Sequence, residues 1–86
     1  MESLYERCFG NKMAQEVVNQ HPPELNFDDG LKHVVLGQQV SLEKFAAEGI
    51  GSGVKGKDRK KAIADKVSEL RTQLLEEINE RYQRGA

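Results

Sequence analysis

Apolar residues return every three or four positions over the last third of the chain. Ile63, Val67, Leu70, Leu74, Ile78 and Tyr82 step by 4, 3, 4, 4 and 4 residues, an average near the period of an α-helix. The spacing predicts a long amphipathic helix from Asp58 to about Arg84. The heptad rhythm holds only from 63 to 74, so a long regular coiled coil is not implied.

A second stripe opens the chain. Tyr5, Phe9, Met13 and Val17 recur at i+4, flanked by Leu4, Cys8 and Val18, with Ser3 available as a cap. Gly10-Asn11 interrupts this stripe, and a helix running through it would lose about 1 kcal/mol. The expectation is therefore a broken or kinked helix across 3–20. His21-Pro22-Pro23 ends it, because a residue before proline is pushed out of the helical region.

Asn26 is a natural N-cap for the next element, with Asp28 and Asp29 in its favourable first turn and Phe27, Leu31, Val34 and Val35 on one face. Val34-Val35-Leu36 also suits a short strand, but no second strand exists to pair with it, so helix is preferred, ending at Gly37. Ser41 reads as the cap of a short helix containing Leu42, Phe45 and Ala46, with Gly49 as its terminator. Residues 49–57 hold four glycines and no helical pattern, and read as a flexible connector. No internal repeat is present. The fold class expected is all-α: three to four helices over residues 1–86, a single small domain dominated by its C-terminal helix.

Composition narrows the classes of function. The chain has 86 residues, 37% of them hydrophobic and 31% charged, with 14 acidic against 13 basic groups. That balance suits a solvated helical protein and lacks the large positive charge of many nucleic-acid binders. It is uneven, however: residues 1–54 carry 4 basic and 8 acidic groups, residues 55–86 carry 9 and 6. No apolar run approaches the ~20 residues of a membrane span. The charged N-terminus lacks a signal peptide's apolar stretch, so no membrane association and a cytoplasmic location are expected. Cys8, the lone cysteine, cannot form an internal disulfide, and with two histidines it gives no zinc spacing.

Gly51-Ser-Gly53-Val-Lys-Gly56-Lys57-Asp58 matches G-x-G-x-x-G and most of a phosphate-binding G-x-x-x-x-G-K-[ST] loop. Free N–H groups at a helix start, with Lys57 beside them, would suit a phosphate. Such a loop must follow a strand, whereas the segment before it reads as helix, and Asp58 replaces the metal-holding hydroxyl. A flexible linker with a helix cap at Asp58 is preferred. Lys55, Lys57, Arg59, Lys60 and Lys61 overlap this loop. Cations at a helix N-terminus oppose its dipole, a local conflict that hints at contact with a nucleic-acid backbone or an acidic protein. No aromatic residue is interleaved to stack bases, and the loose connector does not suit a helix-turn-helix.

Catalytic groups are few: Cys8, His21, His33, Asp28 and Asp29. Cys8 lies beside an apolar stripe, where a thiol acts as a small hydrophobe; His33 falls on the polar side of its helix. No catalytic residues, no metal site and no cofactor are expected. The best-founded feature is the far end of the last helix. About 27 residues reach roughly 40 Å, longer than a compact domain of this size is wide. The short, broken elements before it are expected to cover only part of that length. Leu70, Leu74, Leu75, Ile78 and Tyr82 are therefore the expected partner-binding residues, flanked by Glu76, Glu77, Glu80, Arg81 and Arg84, with an intramolecular core packed against the 3–20 stripe as the alternative for the helix's apolar face. The function expected is non-enzymatic: a small binding or regulatory protein, associating by helices with a protein partner or with itself as a homodimer. The alternative is a nucleic-acid-binding accessory protein using the 55–61 cluster.

Overall fold

In a computed structural model the chain forms five helices: α1 (Leu4–Phe9), α2 (Ala14–Val18), α3 (Phe27–Leu36), α4 (Gln39–Ile50) and α5 (Gly56–Gly85). The structure describes residues 3–20 and 22–85, the last two by their backbone alone; among them there is no strand. His21 and the side chain of Arg84, both considered above, lie outside this description. The all-α class with a long C-terminal helix is the observed architecture.

The expected break in the first stripe divides it into two helices. Ser3 Oγ accepts from the Glu6 amide at 3.2 Å, capping α1. Gly10 then takes φ 64°, a left-handed value that favours glycine, while its N–H closes on the Glu6 carbonyl at 2.8 Å. The Tyr5 hydroxyl reaches over the break and donates to the Lys12 carbonyl at 2.5 Å. This bend removes one residue from the stripe. Tyr5, Phe9 and Val17 are buried, but Met13 is 62% exposed, because the helical phase restarts at Ala14.

Asn26 caps α3 through Oδ1, which accepts from the Asp29 amide at 2.9 Å, and Gly37 closes the helix on His33. The next helix differs from expectation at both ends. Only Gly37 and Gln38 separate α3 from α4, so helical geometry resumes at Gln39 and Ser41 lies inside the first turn rather than at the cap. The Gln39 side chain works there instead: it donates to Glu43 Oε1 at 2.6 Å and accepts from Arg71 Nη2. Gly49 remains helical, and Gly51, at φ 77°, ends α4. The connector is consequently 51–55, shorter than the glycine pattern suggested. Asp58 sits in the first turn of α5, which begins at Gly56, and is not its cap.

The long helix is a spine. It packs against each of the other four helices, and α2 also packs on α3. The Cα envelope measures 43 × 30 × 15 Å, about the length of a thirty-residue helix and two helix layers thick. Leu42, Leu74, Ile78 and Val17 are its most completely buried side chains. Polar contacts fasten α1 across this core. Glu77 Oε1 accepts from the Tyr5 amide at 3.3 Å, satisfying one of the donors that a helix start leaves unpaired. Arg81 lies 4.5 Å over the Tyr5 ring and donates to Ser3 Oγ at 3.1 Å. Arg7 lies 4.0 Å over Phe45 and pairs with Glu48 at 3.0 Å.

Candidate functional site

The far end of α5 proves to be core. Leu74 and Ile78 have no exposed surface, and Leu70, Leu75 and Tyr82 pack partly buried against the same cluster. Tyr82 stacks on Phe27 at 4.6 Å between ring centroids. The expectation that the earlier elements leave this stretch uncovered is corrected: α1, α2 and α3 wrap it within one chain. They do so because the bends at Gly10 and at Pro22-Pro23 fold three short helices onto one long one. Together they hold 21 residues against the 30 of α5, and the 12 residues of α4 pack along it as well.

The basic cluster divides by role. Arg59 turns inward, its guanidinium donating to the carbonyls of Gly51 and Val54. It thus ties the connector to the first turn of α5 and satisfies a carbonyl at the end of α4. Lys55, Lys57, Lys60 and Lys61 are exposed, and no ion pair holds them among the described residues. The glycine loop follows a helix, not a strand, and two of its carbonyls are engaged by Arg59, so its geometry is that of an interhelical connector.

The groups considered for catalysis do not converge. Cys8 is half-buried on α1, and burial pushes its thiol pKa up; Arg7 pulls it down and Glu77 adds to the rise. Asp28, Asp29 and His33 stand exposed on α3. Among the described residues no three His, Cys, Asp or Glu side chains gather as metal ligands would, and no helix is long and apolar enough to cross a membrane.

A different surface emerges where α4 runs beside the first half of α5. An open groove of about 330 Å³ lies between them. It is lined by Gln39 and Glu43 from α4 and by Lys60, Ile63, Ala64, Val67 and Arg71 from α5. Arg71 is held by Gln39, yet its Nε is buried without a partner. Next to Gln39 on α4, Val40 is 80% exposed, the most exposed large apolar side chain among the described residues; Met13 and Leu36 follow at 62% and 58%. Val40 was the one signal in the sequence, an apolar residue between Gln39 and Ser41, out of phase with Leu42 and Ala46.

Comparisons with protein-family models, with curated proteins and with solved structures give no match to this chain.

Proposed function

We propose that this is a non-enzymatic binding or regulatory protein that associates with another protein chain through the outer face of the α4–α5 pair. One observation carries the reading: Val40, the chain neighbour of the groove residue Gln39, is 80% exposed, and the groove is lined by the apolar Ile63, Ala64 and Val67. Singly exposed apolar residues need no explanation; apolar knobs next to an apolar trough, rimmed by polar groups, mark an interaction surface. The seam 70–82 supports this reading indirectly, as the core that holds α5 straight beneath that face.

The test is a photo-crosslinking amino acid introduced at position 40 in the native host, with position 28 on the exposed start of α3 as control. The reading expects a discrete higher-mass adduct from position 40 and none from position 28. Equal labelling at both, or none at either, contradicts it.

Nucleic-acid contact is the second reading, favoured by four exposed lysines without ion pairs at 55–61. It requires duplex DNA or RNA binding that weakens steeply with salt. Changing Lys55, Lys57, Lys60 and Lys61 to alanine then abolishes binding and leaves the helix content intact. Absence of binding at ~50 mM salt removes it.

A further inference from the structure

We infer that the groove between α4 and α5 takes an acidic amphipathic helix of another protein, its apolar side on Ile63, Ala64 and Val67 and its carboxylates on Lys60 and Arg71. The inference rests on the association reading and gives that partner its chemistry.

The α5 side of the lining is apolar in the middle and basic at both ends. Lys60 comes first, Ile63, Ala64 and Val67 follow, and Arg71 comes last. Some 16 Å of helix separates the two bases, so an occupant must bring apolar side chains over roughly three turns and a negative charge near each end. Lys57 and Lys61 extend the basic end, each one helical turn before a lining residue, Lys60 and Ala64. Lys57, Lys60 and Lys61 are exposed, and no ion pair holds them among the described residues. Glu43 is the one acid in the lining, and it accepts from the Gln39 side-chain amide at 2.6 Å. The acids on this stretch of α5, Asp58, Asp65 and Glu69, are not part of it. The groove is thus net positive, and its complement is an acid.

Arg71 shows what the groove lacks. Gln39 accepts from its Nη2, while its Nε is buried without an acceptor. A guanidinium presents parallel N–H donors that a carboxylate takes two at a time, and a single amide oxygen leaves such a pair half used. A carboxylate entering the groove supplies the missing acceptor. A helical occupant follows from the fold. A strand-adding peptide needs a free sheet edge, and the described residues form no strand, whereas the furrow between two packed helices seats a third. A nucleic acid suits the lysines but not the apolar middle, which offers phosphates nothing and has no aromatic ring to stack a base.

Peptide display tests this with the full chain as bait. A random library of displayed peptides of about 16 residues, four helical turns, is selected on the immobilised chain at ~150 mM salt, where long-range attraction is screened. Enriched peptides are expected to be net acidic, with apolar residues at i, i+3, i+4 and i+7. The most enriched peptide is then labelled and titrated with the chain by fluorescence anisotropy. Two variants at exposed positions, each checked for wild-type helix content by circular dichroism, separate charge from shape. Lys60→Glu reverses one end of the groove and weakens binding at least about tenfold. Ala64→Trp keeps every charge and fills the groove, so it also weakens binding at least about tenfold, whereas a purely electrostatic contact survives it. No enrichment, enriched peptides that are neutral or basic, or binding indifferent to either variant overturns the inference. Duplex DNA that binds wild type and Ala64→Trp alike while no peptide enriches would put nucleic acid on the lysines instead. A wild-type dimer in light scattering at ~100 µM that Ala64→Trp breaks would put a second copy in the groove and also overturn it. A discrete adduct at position 40 beside a negative selection keeps the association reading with a partner of other chemistry; no adduct removes that reading itself.

Discussion

Truncating Leu74 to alanine deletes most of a side chain with no exposed surface, at the centre of the long helix and enclosed by the helices packed on it. Leucine-to-alanine changes at such sites cost about 2.7–5.0 kcal/mol, the spread reflecting how far the surroundings collapse. Only two helix layers span the 15 Å dimension, so neighbours can relax toward the cavity, and the lower part of that range, about 3 kcal/mol, is expected. At roughly 0.05–0.15 kcal/mol per residue, 86 residues have about 4–13 kcal/mol in total. The variant therefore folds with a large share of its stability gone. The assay is urea unfolding followed by circular dichroism at about 1 µM, dilute enough for self-association to contribute little. With a slope near 1 kcal/mol/M for a small chain, the midpoint falls by about 2–3 M. Were Leu74 part of a seam between subunits, the dilute chain would hardly notice its loss. A midpoint drop under about 0.5 M at unchanged slope refutes the packing described here.

Three further outcomes are expected. Burial raises the Cys8 thiol pKa, and burial also raises the Tyr5 hydroxyl, against Arg81 and with Glu16. Both groups are thus held in their protonated forms by folding, so stability is full below about pH 8.5 and declines as pH rises through the raised values. Cys8→Ala moves the onset toward the tyrosine range, and thermal unfolding from pH 7 to 11 reads this; a flat profile contradicts it. Gly10→Ala meets open space but must hold φ 64°, so a loss of about 1 kcal/mol is expected in the same urea assay, and stabilisation contradicts the bend. Amide exchange is expected to be faster at 52–55 than in the helices on either side, with Arg59→Ala extending it to the ends of α4 and α5; slow exchange at 52–55 in wild type contradicts the connector described above.

Much of the fold was legible because local chemistry and tertiary packing agree. Ser3 and Asn26 are capping residues in both the sequence and the structure, Gly10 and Gly37 stop helices, and the stripe from Ile63 to Tyr82 is the buried side of α5. Disagreements arise where tertiary geometry overrides a local signal. Ser41 has the chemistry of a cap, but the two-residue turn before Gln39 starts α4 earlier, and Arg71 from α5 steadies that first turn. Met13 keeps the period of its stripe in sequence while the bend at Gly10 turns it to solvent. The stripe on α5 says that something covers it and cannot say which chain does. The groove was illegible for a related reason. Gln39, Glu43, Lys60 and Arg71 each read as a solvated polar position, and only the antiparallel course of α4 beside α5 brings them together.

Amide spectra of labelled protein, recorded alone and in a concentrated extract of the native host, test the central claim most directly. Signal loss in the extract is expected at 36–43 and 60–71, on the outer face of the α4–α5 pair, with 74–82 unchanged. Loss concentrated at 74–82 would restore the distal seam as the interface, and spectra unchanged by the extract would contradict association through this face.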